Sequence, residues 1–377
     1  MVAIAARAAA EQAGERRERR AAPQYELIDC DVHQSIGDYT QLHPYLPVQW
    51  RRYVSKSGFG GATSGILRGA GSLYRQDARP PGGGEPGSDP AWLRQQLIER
   101  YHVRYAILNG GNILGLGTLP DADYASALAS AYNDWTIATW LTEHNADGRF
   151  KAAMLVAPQD PQGAAREIDR VGDHPHIVQV LFTTATGIPL GHRWFHPIYE
   201  AAERHGLPVA VHPGAEGRAI AGQPTAAGWI SKYIEWHTCL PQTAMTHAVS
   251  LVCQGVFEKF PRLKVVLVEC GQSWLAHVMW RLDKNYKALR VEVPWLKRLP
   301  SEYLKEHIRL TTQPIEEPPS REQFLQMLEM IDARRTLMLS TDYPHWDFDD
   351  PIAAFKHVPE DMKRRIYYQN AAELYGL

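Results

Sequence analysis

Leu27-Ile28-Asp29-Cys30-Asp31-Val32-His33 is the stretch on which the reading of this chain turns. A β-strand sends alternate side chains to opposite faces, so Asp29, Asp31 and His33 share one face and Ile28, Cys30 and Val32 the other. The second face is built to be buried. The first crowds two carboxylates and an imidazole, each of which would cost several kcal/mol if it faced a protein interior unpaired. A divalent cation removes that cost by cancelling charge and using the lone pairs. An exposed edge strand with its polar face in water would carry the same pattern, so the rest of the chain decides.

Working outward, a regular alternation begins at Asp89-Pro90, a helix N-cap followed by a first-turn proline. Short apolar runs at 105–109, 151–156, 177–181, 207–212, 263–269, 308–312 and 336–340 read as strands. Segments at 122–144, 160–170, 196–205, 242–260, 273–290, 320–332 and 350–357 read as the elements between them. Continuous apolar strands separated by amphipathic helices are the pattern of a parallel sheet covered on both faces. The number of repeats in a chain of 377 residues fits a closed (β/α)₈ barrel. A doubly wound sheet is the alternative, but no GxGxxG follows the first strand.

Polar residues then fall at one place in these strands. The run Val209-Ala210-Val211 ends in His212, Val265 to Val268 ends in Glu269, and Leu337 to Thr341 ends in Asp342, with His345 three residues on. Active sites of such barrels sit at the C-terminal ends of the strands. One strand-terminal histidine would read as a core residue. Four strands ending in ligand-type groups read as a metal site.

Composition bounds the partners. A net charge of −2 gives no reason to expect nucleic acid or an anionic membrane, and no apolar run is long enough to span a bilayer. A small-molecule substrate is expected. Cys30, Cys239, Cys253 and Cys270 form no CxxC pair and read as reduced thiols of a cytoplasmic protein. Residues 1–24, ending in the charged run Glu15 to Arg20, read as a helical arm suited to packing on a neighbouring subunit, as a homo-oligomer or with a related chain. Residues 34–90, rich in Gly and Pro around 58–61 and 80–84, read as a long insert and candidate lid, with Arg75 a substrate-carboxylate contact.

Asp-x-Asp-x-His on the first strand, Leu207-Pro208-Val209 through His212-Pro213-Gly214, the run from Gly255-Val256-Phe257 to Leu267, and Ser340-Thr341-Asp342-Tyr343-Pro344-His345 together resemble the amidohydrolase superfamily. More narrowly they resemble the branch holding aminocarboxymuconate-semialdehyde decarboxylase and the resorcylate decarboxylases, from about Tyr25 to the C-terminus. The resemblance implies a (β/α)₈ barrel binding a divalent metal. It places metal ligands at Asp31 and His33 (where the family has His-x-His or Glu-x-His), at His212 and at Asp342.

The chain departs from the decarboxylase pattern at Glu269, where those enzymes carry histidine. A glutamate there is a good ligand for a hard cation but a poor proton donor unless burial raises its pKa. With Glu269 and His345 added, the set Asp31, His33, His212, Glu269, Asp342 and His345 exceeds what one ion needs. Asp29 reads as a group orienting a ligand, and Glu269 and His237 as catalytic candidates: Glu269 as a ligand or a group orienting one, and His237, in a stretch that reads as neither plain helix nor plain strand, as a ligand or proton-transfer group; His247 reads as structural. The surplus leads us to expect iron or manganese as a dinuclear centre, with zinc as the single-metal alternative. It also leads us to expect a dioxygen-dependent hydroxylase of a small carboxylate or amino acid, like the few superfamily members acting on 2-aminoisobutyrate. The alternatives are a mononuclear hydrolase or non-oxidative decarboxylase, and a partner subunit with a structural metal.

Overall fold

The computed structural model describes residues 26–57 and 73–377. The N-terminal arm and the glycine cluster at 58–61 lie outside the described residues. Eight strands form one sheet: β1 (Leu27–Val32), β2 (Val103–Leu108), β3 (Phe150–Leu155), β4 (Ile177–Thr183), β5 (Val209–His212), β6 (Val265–Leu267), β7 (Ile308–Thr311) and β8 (Leu337–Met338). They lie in the order 1 to 8, and each pairs in parallel with the next. The last strand returns to the first. Cys30 N donates to Leu339 O at 2.9 Å, Asp342 N to Asp31 O at 3.1 Å, and His33 N to Tyr343 O at 2.7 Å. The expected (β/α)₈ barrel is present and closed.

The strands are valine-, leucine- and isoleucine-rich because both their faces are covered; every residue of β1, β3, β4 and β5 is buried. Local chemistry starts the helices between them. Asp89 accepts from Ala91 N and Trp92 N ahead of Pro90, and Asp160 accepts from Gly163 N ahead of Pro161. Two expectations need correction. The helix expected from residue 242 begins nine residues earlier and spans Tyr233–Cys253, with Pro241 inside it. Residues 350–357 form turns, and the barrel is completed by Glu360–Arg364 and Asn370–Tyr375.

The described part of the insert docks at the C-terminal end of β1. Ser35 N donates to Gly87 O, Arg75 N to Pro344 O and Trp346 N to Leu73 O. Gly87 is required there: its φ is +78°, and a Cβ would collide with the His33 carbonyl. The insert is thus tied to the rim that carries His33 and His345. Among the described residues, no helix is long and apolar enough to cross a membrane.

Candidate metal centre

Asp31, His33, His212 and Glu269 bring their ligand-type atoms within 4.8 Å of one another at the C-terminal ends of β1, β5 and β6. His33, Asp342 and His345 form a second such group, and His237, Glu269 and Asp347 a third. The separations are short. His33 Nε2 lies 2.9 Å from Asp342 Oδ1 and 3.3 Å from Asp31 Oδ1. His212 Nε2 lies 3.1 Å from Glu269 Oε2 and 3.5 Å from Asp31 Oδ2.

These close contacts are not aligned as hydrogen bonds. Asp31 Oδ2, His33 Nε2, His212 Nε2 and Asp342 Oδ2 are all buried with no hydrogen-bond partner. An unsatisfied buried polar atom costs about 1–3 kcal/mol, more for a charged one. Three of them belong to the group Asp31, His33, His212 and Glu269, and the fourth to the adjoining group that shares His33, an arrangement a cation resolves. The outward atoms, by contrast, are held. His33 Nδ1 bonds to Gly110 O, and His212 Nδ1 lies 2.6 Å from Pro213 O. A carbonyl only accepts, so each Nδ1 carries its hydrogen and each Nε2 turns a lone pair inward, the usual orientation of a metal-binding imidazole.

Charge gives the same picture. Burial alone would raise Asp31, yet the two imidazoles outweigh it and hold the carboxyl far below the usual range. Burial would lower His212, but Asp31 and Glu269 push it up to about 10, and Asp31 and Asp342 likewise raise His33. The carboxylates demand positive charge at the centre of the cluster; a divalent cation meets that demand in place of ring protons.

Two of the carboxylates sit in strained backbone. Glu269 has φ +52° and Asp342 φ +59°, the left-handed region that non-glycine residues rarely adopt. Each is fixed by its neighbours. Glu269 N donates to Thr311 Oγ1 at 3.0 Å. Asp29 accepts from both Thr341 N and Thr341 Oγ1, at 3.0 and 2.6 Å, which anchors the peptide before Asp342. Asp29, with its pKa raised by burial to about 7, is therefore a brace under Asp342 and lies outside all three ligand groups.

The remaining candidates fall as follows. His345 reaches back, Nδ1 at 2.7 Å from Asp342 Oδ1, with its ring stacked on Tyr74. His237 lies on the second turn of Tyr233–Cys253, not in the irregular stretch expected, and its Nε2 stands 3.2 Å from Asp347 Oδ2 and 3.6 Å from Glu269 Oε1. Burial works to lower it, but those two carboxylates raise it to about 10. Arg75 is engaged by Asp77, which lies outside the three ligand groups, and stacks over the Phe348 ring. His247 donates through Nε2 to Thr184 O and accepts from Leu190 N, a structural role. Asp347 was not singled out by the sequence. It sits on a loop with no periodicity, held by Gln313 Nε2 at 2.8 Å, and only its position five residues past Asp342 hinted at it.

A family model described as Amidohydrolase matches residues 28–377. The chain belongs to this family. The gamma-resorcylate decarboxylase of Polaromonas sp. is 26% identical over 302 residues, covering 75% of this chain and 86% of that protein. That of Rhodococcus jostii is 26% identical over 306 residues, covering 76% and 87%. The structure of 5-carboxyvanillate decarboxylase from Sphingomonas paucimobilis aligns at 25% identity with a TM-score of 0.65, over 93% of this chain and 99% of that one. A 5-carboxyvanillate decarboxylase from Novosphingobium aromaticivorans, complexed with manganese and 4-hydroxy-3-methoxy-5-nitrobenzoic acid, shares the fold at 20% identity. Its TM-score is 0.68, over 94% and 97%.

These relatives are decarboxylases, and they overturn the expectation of a dioxygen-dependent hydroxylase. That expectation rested on a surplus of ligands for one ion. The structure gives one of that surplus another partner: His345 Nδ1 lies 2.7 Å from Asp342 Oδ1. A dinuclear iron centre finds no support among the relatives, where the metal named is manganese. The chain is a metal-dependent amidohydrolase-family enzyme.

Proposed function

We propose that the protein is a non-oxidative decarboxylase of a small hydroxylated aromatic acid, working with one divalent cation, manganese in the first instance. The observation that carries this is the set of four buried, unpartnered ligand atoms, in two groups that share His33, in a chain similar to resorcylate decarboxylases over three quarters of its length. Asp31, His33, His212 and Asp342 would hold the ion. Bound there, it would act as a Lewis acid toward the substrate's oxygens.

The reaction breaks the bond between the ring and the carboxyl carbon. The electron pair stays on the ring carbon, which takes a proton as carbon dioxide leaves. Glu269 stands where the decarboxylase pattern has histidine, so the proton must come from elsewhere. His237 supplies the missing imidazole from the helix: its Nε2 is beside Glu269 and braced by Asp347, on the rim of the same cluster. His237 Nε2 is the proton carrier in this reading, with Glu269 orienting it and keeping it charged.

The test is an anaerobic assay of the manganese-loaded protein with 2,6-dihydroxybenzoate and 5-carboxyvanillate. Carbon dioxide release matched by loss of the acid, removed by chelator and restored by manganese, is the expected result. Turnover that requires dioxygen, or no decarboxylation of any hydroxybenzoate by metal-loaded protein, would overturn it.

A further inference from the structure

The inside of a (β/α)₈ barrel is ordinarily filled by layers of branched apolar side chains. Here it is crossed by a chain of polar groups. Tyr375 OH, on the C-terminal helix Asn370–Tyr375, donates to Gln179 Oε1 at 2.9 Å. Gln179 Nε2, on β4, donates to Asn109 Oδ1 at 2.8 Å. Asn109 Nδ2, immediately after β2, donates to Asp31 Oδ1 at 2.8 Å and to Cys30 O at 2.9 Å. Asn109, Gln179 and Asp31 are wholly buried.

The direction of the chain is fixed by its end. An ionised carboxylate only accepts, so Asn109 must present its NH₂ to Asp31; its oxygen then needs a donor, which Gln179 provides, and Gln179 in turn needs the Tyr375 hydroxyl. Reversing any amide would set two oxygens against each other. Burying two amides in a barrel core is costly unless each is satisfied, and a fully satisfied network rigidifies what it touches. What it touches is one oxygen of Asp31. The other, Oδ2, is the unpartnered atom aimed into the ligand cluster.

We infer that Asn109, Gln179 and Tyr375 are positioning residues that link the C-terminal helix to Asp31 and set the affinity of the cation there. They occupy Oδ1 and fix the rotation that delivers Oδ2 to the ion. The C-terminal helix is thereby part of the metal site's construction. The inference rests on the cation reading of the cluster but not on decarboxylation.

The test is a manganese titration, by the electron paramagnetic resonance signal of free Mn²⁺, of wild type, Gln179→Leu, Tyr375→Phe and the double variant, with the melting temperature of each metal-free protein alongside. Outer partners of metal ligands are worth about 10–100-fold in metal affinity. We expect Gln179→Leu to raise the Kd by about that much and Tyr375→Phe by a few-fold. In the Gln179→Leu background Tyr375→Phe should add nothing, because the route to Asp31 is already cut. A purely structural role would lower the melting temperature and leave the Kd in place. Wild-type binding with unchanged Kd in both single variants, or strictly additive effects, would overturn the inference alone. Wild-type protein that binds no divalent cation would overturn the cluster reading and the inference with it.

Discussion

The two ends of the barrel are made by the same eight strands and are chemically opposite. At the C-terminal end Asp31, His33, His212 and Glu269 bring ligand atoms together, with Asp342 against His33, and several of these atoms are buried and unpartnered. At the N-terminal end a cavity of about 630 Å³ is lined by Lys264, Arg309, Arg335 and Arg365, among others. Two of these cations are put to local use. Arg309 donates to the carbonyls of Ile308, Glu306 and Lys305 at 2.8–3.3 Å, where the helix Pro300–His307 ends, and Arg365 donates to Arg334 O and pairs with Glu373. Burial, with Arg335 nearby, pulls Arg309 down to about 10, while the carbonyls at the helix end hold its Nη1. One end leaves buried polar atoms open for a ligand; at the other, Arg309 and Arg365 close theirs on the fold. The difference between stored capacity and spent capacity is what separates a site from a scaffold.

That contrast can be broken most directly at the ligand end. Asp342→Asn should lower decarboxylation by about 10³-fold or more and abolish tight manganese binding, since several kcal/mol of charge stabilisation depend on the ion. Steady-state rates and metal content per chain measure this; retention of both would mean that Asp342 holds no cation. His237→Gln comes next, with a loss of about 10²-fold in kcat and manganese content intact, as expected for a proton carrier next to the ion. A matched loss of metal would instead make His237 a ligand.

The same contrast exists between two buried histidines. His212 has one nitrogen open, whereas His247 has both engaged, and burial lowers His247 to about 4. A depressed histidine stabilises the fold in its neutral form. Its contribution is fully present above the ordinary value near 6.5 and is lost as pH falls through 4. Chemical denaturation at a series of pH values should show a decline on the order of 3 kcal/mol across that interval, flattened in His247→Gln. The smallest effect is expected at the scaffold end. Arg309→Met should cost about 1–2 kcal/mol in urea unfolding while kcat and manganese affinity stay at wild-type values. A change in either would show that the two ends are coupled through more than the chain to Asp31.

How much of this could be read in advance depends on how local each signal is. The alternation of Asp29, Asp31 and His33 is written in seven consecutive residues, and it correctly put one face of β1 toward the site. His212, Glu269 and Asp342 each follow an apolar run, so the barrel and most of the ligand groups were legible together. Even there Asp29 differed from its neighbours in role, bracing Thr341, because strand periodicity says which face a side chain takes and not what waits opposite it. His237 was noticed, but Pro241 disguised its helix. The count of carboxylates misled on chemistry, since a sequence cannot show which acids are already occupied.

The sequence by itself determined the barrel, its metal-type rim and its family, because strand alternation, helix caps and strand-end residues are short-range patterns that survive in one dimension. Only the tertiary structure decided which groups stay open. Asp347 meeting His237, Gln313 holding Asp347, and Tyr375 reaching Asp31 through Gln179 and Asn109 join residues far apart in the chain. Such partners leave no periodic trace. They exist because closing eight strands into a ring brings all their ends into one small, dry volume, where every polar atom must be either paired or aimed at a ligand.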